Sequence, residues 1–399
     1  MKQTYYITDY GVVPNLDALQ TDKIQAVFDL CRESGGTVVI PAGTFRTGGL
    51  RMWSNTTLHL ESGAKLLGSD ICEDYPVFPI PEGVELRTDM ELIPQQYDDK
   101  PWPEYRRAII SVLGGENISI IGEEGSLISG DDCADPHGEE GYRGPHGIFL
   151  TNVNGITLRG YTIEDCGNFM HQIDNCQNIT ARHLVCQGGS DGFHLHCCTD
   201  VLIEDCVFHT GDDCIAGINM KNVTIRRCEL NTSCNMFRAG GSHILVEDCY
   251  MWGPGIYPHG MTVVQHAYTD AVRDKSNRLP REAGRHNSYC LWVHFASAAY
   301  PSPEPYHDIV FRRCRVHDIS RVLNYQADEY KMLCAGAHLT EMRFEDVEFT
   351  QLKNASISVA SAEEPLTITL QNVTDTYAED AKLRMLFLPD AVNTTVNII

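Results

Sequence analysis

The sequence predicts an all-β chain wound as a single-domain right-handed parallel β-helix, a solenoid closed at its N-terminal end by a capping α-helix. Two observations carry that expectation. Short alternating segments recur at a period near 22: NGITLRGYTIEDC (154–166), QNITARHLVC (177–186), TDVLIEDCVF (199–208), KNVTIRRCEL (221–230) and SHILVEDCYM (242–251). Their leading apolar residues, Ile156, Ile179, Val201, Val223 and Ile244, follow one another by 23, 22, 22 and 21 positions. In addition, no helical pattern stands between these segments. Each alternates apolar with polar residues and breaks at Gly, Asn or Asp, as strands do. One such unit cannot bury its apolar face alone, whereas stacked units share a continuous core. Leucine-rich repeats have a similar period, but their LxxLxL core is missing. Crossover chirality makes the right-handed coil the expected form.

In chain order, the first element is the helix. In TDKIQAVFDLCRESGG (21–36), Ile24, Val27, Phe28 and Cys31 fall at i, i+3, i+4 and i+7, with Thr21 as N-cap candidate and Gly35 as the stop. Residues 1–50 therefore read as a cap plus the first strands. The helix would cover the open end of the stack, where bare strand edges invite aggregation. NTTLHLESGAKLLG (55–68) and ENISIIGEEG (116–125) read as early coils, and HDIVFRRCRV (307–316), TEMRFEDVEF (340–349) and EPLTITLQNV (364–373) as late ones. Residues 250–306 break the repeat with YPHG, the basic segment RDKSNRLPREAGR (273–285) and several aromatics. They read as a loop-rich insertion packed beside the solenoid, so 1–399 is a single domain.

The 16 cysteines lie inside strand patterns and show no CxxC pair with zinc spacing. Cys166, Cys186, Cys206, Cys228 and Cys249 recur every 20 to 22 residues and are expected to form one internal ladder of reduced, buried thiols. A net charge of −23 argues against nucleic acid and anionic membranes as partners, and makes a long polyanionic substrate less welcome. No stretch is apolar enough to span a membrane. The N-terminus MKQTYYITDYGVVPN has no apolar leader segment, so a cytoplasmic location is expected, or a secreted one if a leader has been removed.

Chemistry concentrates in GGSDGFHLH (188–196) and HTGDDCIA (209–216). With coils of about 21 residues, Asp191 and Asp212 are expected at equivalent places on neighbouring coils, one strand spacing apart, with Asp213 alongside. Mutual repulsion should raise at least one pKa and leave a carboxylic acid beside ionised partners. That is the equipment of glycoside hydrolysis, although a calcium site or a solvated acidic turn has the same residues.

The chain resembles the polygalacturonase-like glycoside hydrolases, family 28. ITDYGVVPN (7–15), GGTVVIPAGTFRTGGL (35–50), NTTLHLESGAKLLGS (55–69) and EDYP (73–76) are similar to that family's N-terminal half. SDGF (190–193) is similar to its Asn-Thr-Asp-Gly motif, and GDDCIA (211–216) to its Asp-Asp motif. Residues 5–250 carry the likeness; 251–399 share only the repeat character. The resemblance implies an inverting hydrolase in which Asp212 is the general acid and Asp191 with Asp213 activates water. No cofactor and no metal are expected. In an inverting enzyme the acid is expected further from the base pair than in a retaining one.

Two family features are missing. Where a Gly-His-Gly motif is expected, the chain reads TSCNMFRAGG (232–241), with Cys234 or Asn235 near the histidine's place, and no Arg-x-Lys motif is present to grip a uronate carboxylate. His194 stands where the family has an aspartate. His194 and His196 alternate on a strand, so both are expected to face the substrate, or to hold a metal if a third ligand exists. Arg238 is placed to grip a carboxylate or to bridge to a repeat carboxylate. His259, in YPHG, is a loop residue or one folded back to stand for the missing histidine. Arg273, Lys275, Arg278, Arg281 and Arg285 either cap a subsite or form a solvated loop. The expected substrate is a short galacturonate-containing oligosaccharide trimmed from one end. Hydrolysis of a rhamnogalacturonan-type or neutral glycoside, a β-helix polysaccharide lyase and a non-catalytic sugar-binding β-helix are the alternatives. Monomer and homo-oligomer are both open.

Overall fold

The computed structural model describes residues 3–87, 103–297, 300–327, 337–376 and 391–399. Its strands stack in parallel, each beside its counterpart one coil on, and form three faces. One face holds Thr162–Glu164, Val185–Gly188, Val207–Thr210, Glu229–Thr232 and Tyr250–Trp252. The next holds His171–Asp174, Phe193–His196, the start of Ile215–Arg226, the start of Asn235–Glu247 and Cys290–His294. The long strands then bend into the third face, beside Gln177–Arg182, Thr199–Glu204 and Ile309–Arg312.

The repeat seen in the sequence is a physical ladder. Ile118, Ile156, Ile179, Val201, Val223, Ile244, Ile309, Met342 and Ile368 are register partners in succession. All are buried, within one apolar core that runs from Tyr5 to Leu370. At a strand spacing of roughly 4.8 Å, each rung rests on the next in van der Waals contact. Corners are turned by single residues in the left-handed region. Asn178, Asp200 and Asn222 have φ of 58°, 57° and 56°, a conformation that Asn and Asp tolerate best after glycine. A second corner stacks Asp205, Arg227, Asp248 and Arg313. There, ion pairs of 2.8 Å (Arg227–Asp205) and 2.7 Å (Arg313–Asp248) link consecutive coils.

Three expectations need correction. The helix is Thr21–Asp29, ending short of Gly35, and its N-cap is Gln20. The Gln20 side chain is spent on both backbone polar groups of Val13, at 2.8 Å each, while the Thr21 hydroxyl accepts from the Gly48 N–H. Ile24, Val27, Phe28 and Cys31 are buried as expected. The cysteines do not form one ladder. The register Val207↔Glu229↔Tyr250↔Arg315 stacks Cys206, Cys228, Cys249 and Cys314, one position ahead of each. Cys186 pairs with Ile163 and Phe208 in a different row, and Cys166 lies beyond its strand, because coil lengths vary and similar spacing is not the same register. No disulfide joins the described cysteines. Finally, 250–306 is not all loop: Tyr250–Trp252 and Cys290–His294 continue two faces of the solenoid, and the excursion lies between them.

Candidate active site

The three aspartates sit at the corner that leads from the first face to the second. Because Phe193 pairs with Ile215, and Ile215 with Phe237, the residues in true register there are Asp191, Asp213 and Asn235. Asp212 therefore stands beside the stack rather than in it, and the one-coil partner of Asp191 is Asp213; the coil has 22 residues here, not 21. Backbone bonds fix the corner. Gly192 N–H donates to the Asp213 carbonyl, and Asp213 N–H donates to Asp191 Oδ1 at 3.2 Å. Asp213 Oδ1 accepts from Asn235 Nδ2 at 2.7 Å and from Asn235 N–H. The carbonyl of Asp212 is gripped by the hydroxyls of Thr210 and Thr232.

One carboxylate oxygen from each aspartate lies within 4.8 Å of the others. Asp212, the expected acid, thus stands closer to the other two than an inverting geometry, with a water between acid and base, would place it. Burial and mutual repulsion divide the charge states. Burial, followed by the Asp212 and Asp213 charges, pushes Asp191 well above the ordinary carboxylate range. Burial and the neighbouring Asp212 push Asp213 up to about 6. Burial also pushes Asp212 upward, but His259 and Arg143 outweigh it and hold Asp212 well below the usual range. Burial and repulsion thus favour a proton on Asp191 over Asp212 in the free protein, and the trio titrates as a unit.

Arg143 is the residue that sequence reasoning missed. Its guanidinium, 3% exposed, lies 2.5 Å from Asp212 Oδ2 and 3.1 Å from Glu140. It comes from the turn GYRGP, which leads into the strand His146–Arg159 at the same corner, two coils before Asp191. Laying successive corner turns in register, rather than the strands alone, would have found it.

His259 does fold back. The excursion after Trp252 returns over the aspartates and places His259 Nε2 3.6 Å from Asp212 Oδ1. Asn231 Nδ2 donates to the carbonyls of Trp252 and Pro254, and His259 N–H donates to the Arg285 carbonyl. Arg273, Lys275, Arg278 and Arg281 neither cap a subsite nor lie free in solvent. They pair with Glu73, Asp131, Asp132 and Asp165 respectively, at 3.1, 2.9, 2.7 and 3.1 Å, and strap the excursion to the acidic turns of earlier coils. Arg285 has no ion-pair partner among the described residues.

This approach requires Gly211. A Cβ there would sit 2.0 Å from the Pro258 carbonyl oxygen and 2.8 Å from that of Gly189. Gly211→Ala is expected to push the excursion outward, carry His259 off Asp212 and lower kcat by about 10²-fold, the cost of roughly an ångström of misplacement. Steady-state kinetics check this, with thermal unfolding to show that the core has survived.

His194 and His196 both point outward, as the alternation requires, and their rings lie 4.5 Å apart. His194 Nδ1 is 3.0 Å from Asp191 Oδ2, and its ring stacks on Phe169 at 4.3 Å. Burial, then the nearby His196 and Arg238, hold His194 well below its ordinary pKa, so it is neutral. His196 Nδ1 contacts the Arg87 carbonyl at 3.2 Å, under a segment that also caps Asp174 through Arg87 N–H. Arg238 continues the outward row His194–Ala216–Arg238. Its guanidinium lies 4.2 Å over the Phe295 ring, and no repeat carboxylate among the described residues pairs with it.

The sequence model of the glycosyl hydrolases family 28 matches residues 95–234, a span that includes all three aspartates. Over these residues the chain resembles family 28. A probable polygalacturonase of Vitis vinifera is 27% identical over 262 residues, 55% of this chain and 48% of that protein. An exo-poly-alpha-D-galacturonosidase of Dickeya chrysanthemi is 46% identical over 70 residues, 18% of this chain and 12% of that one. The chain spans about half or less of the length of these two relatives. Among solved structures, the family 28 exopolygalacturonase of Yersinia enterocolitica superposes with a TM-score of 0.68 at 17% identity, covering 100% of this chain and 78% of that one. The hyperthermoactive exopolygalacturonase of Thermotoga maritima gives 0.61 at 13% identity, covering 99% and 92%. The likeness supports a right-handed parallel β-helix.

Proposed function

We propose that this chain is a glycoside hydrolase that removes galacturonate units from one end of short pectin-derived oligosaccharides. The observation that carries the reading is the trio Asp191, Asp212 and Asp213, buried together on the outer wall with divided charge states. Asp212 lies toward the opening, beside His259, and protonates the leaving oxygen. Asp191 and Asp213 hold and deprotonate the water. For that, the proton kept on Asp191 in the free protein must reside on Asp212 when substrate is bound. A sugar seated at the opening favours this transfer by shielding Asp212 from water. Inversion of configuration rests on the family resemblance, not on the carboxylate spacing.

Arg238 supplies the cation for a uronate carboxylate. It lies on the cleft floor one coil beyond Ala216, held flat against Phe295 and spared from ion pairs with the described residues. Attack from one end is supported by the roof over the floor. Arg87 closes over Asp174 and His196, its guanidinium lies 5.6 Å from the Tyr300 ring, and Phe295 with Tyr300 covers Ile218. A groove obstructed at that end would favour a chain end over the interior of a polymer. The test is a time course on reducing-end-labelled tetragalacturonate. Release of monomer ahead of any dimer supports the reading; dimer as the first product contradicts end-on attack.

A further inference from the structure

We propose that Asp212, Cys234 and His259 form a binding site for a thiophilic divalent cation of the zinc class, and that the ion stops hydrolysis when it binds. The inhibitory half rests on the reading of Asp212 as the acid; the binding half does not. A carboxylate oxygen, a thiol sulfur and an imidazole nitrogen from these residues all lie within 4.8 Å of one another. Bond lengths of about 2.0–2.3 Å to zinc put tetrahedral ligand atoms roughly 3.3–3.8 Å apart. The His259–Asp212 pair, at 3.6 Å, already has that separation, and the sulfur needs at most about an ångström of side-chain adjustment.

The ligands are held in place before any ion arrives. Two threonine hydroxyls fix the Asp212 carbonyl, and Cys234 N–H donates to Thr232 Oγ1 at 2.9 Å. Both backbone groups of His259 are bonded, its N–H to the Arg285 carbonyl and its carbonyl to the Thr262 hydroxyl. His259 is only 9% exposed, and its Nδ1 has no hydrogen-bond partner. With Nε2 facing Asp212, an unpaired buried Nδ1 is an unexplained cost for a purely structural residue, and Nε2 is the nitrogen placed for a metal. Sulfur and nitrogen beside one carboxylate select zinc-like ions over calcium and magnesium, which take oxygen. Three ligands leave the fourth position to water. On binding, the Cys234 S–H bond breaks, the sulfur bonds to the metal and the proton goes to solvent. The Asp212 oxygen facing His259 then carries the ion and can no longer carry a proton. The donors come from three separate segments, so no zinc-spaced motif is visible in the sequence.

Cobalt(II) reports this geometry. Added to chelator-treated protein, it is expected to produce a thiolate-to-cobalt charge-transfer band in the near ultraviolet and strong visible bands of tetrahedral type. Zinc should abolish these bands by displacement. Cys234→Ser should lose the charge-transfer band, and His259→Gln should weaken cobalt binding at least about tenfold. Zinc should inhibit the wild type but leave the residual activity of Cys234→Ser unchanged. No thiolate band in the wild type, or the same band in Cys234→Ser, overturns the site. A wild type that hydrolyses oligogalacturonate without a cobalt band loses the metal site and keeps the hydrolase. A cobalt band without hydrolysis keeps the site and removes the function proposed above.

Discussion

Asp212→Asn is expected to lower kcat on an unactivated oligogalacturonate by about 10²–10⁴-fold, the usual worth of a positioned general acid. The same variant should retain most of its activity on an aryl galacturonide with a strongly acidic phenol as leaving group. The reason is chemical: a good leaving group departs as its anion and needs no proton. Asp191→Asn and Asp213→Asn should instead fail on both substrates, because on the proposed roles they remove the groups that hold and deprotonate water. Asparagine is nearly isosteric, and the backbone carbonyl that anchors position 212 to Thr210 and Thr232 is unchanged, so the geometry survives. The measurement is kcat for the three variants on both substrates. An equal loss by Asp212→Asn on both would remove Asp212 from the acid's role.

Arg143→Gln should have the next largest effect, and on two quantities. Arg143 is buried against Asp212, Glu140 and Glu139, with Glu139 3.9 Å away. Removing it leaves carboxylates without their counter-ion, which costs about 3–5 kcal/mol of stability. The pH–rate profile should move as well. On the proposed roles, the active form of the wild type is the trio with one proton. As pH falls through about 6, Asp213 gains a proton and can no longer act as base, so activity falls on the acid side. As pH rises, the trio loses its last proton and the acid disappears. The Arg143 cation favours the ionised forms of Asp212 and Asp191. Without it both hold their protons more tightly, so the alkaline limb of kcat/KM should move to higher pH while the acid limb stays near 6. Urea unfolding and pH profiles of both proteins check this. An alkaline limb that moves downward would contradict the electrostatics given for the site.

The scaffold was legible in the sequence because a β-helix writes its core directly into the chain. Ile156, Ile179, Val201, Val223 and Ile244 could be aligned by eye, and they are the register partners of the structure. The register of the aspartates was legible only to within one residue. Asp191 pairs with Asp213 and not with Asp212, because register is set by the strands that follow, Phe193 against Ile215, and not by the aspartates. The ladder of cysteines failed for the same reason. Contacts that cross the solenoid were hidden. Arg143 comes from a turn two coils upstream, and Arg87 roofs His196 from more than a hundred residues away. Neither belongs to a repeat. His259 lay between the two: its candidacy followed from a missing histidine, but its place over Asp212 depends on the strap of ion pairs from Arg273 to Arg281 and on the empty space at Gly211.

The central claim is that the aspartate trio hydrolyses a galacturonate linkage with water. The most direct test follows, in one reaction on trigalacturonate, the appearance of reducing ends and the ultraviolet absorbance of an unsaturated uronate. The account predicts reducing ends in proportion to bonds cleaved, with no rise in absorbance. Absorbance rising in step with the reducing ends would mean that the bond is broken by elimination. The trio would then not be the hydrolytic machinery described here.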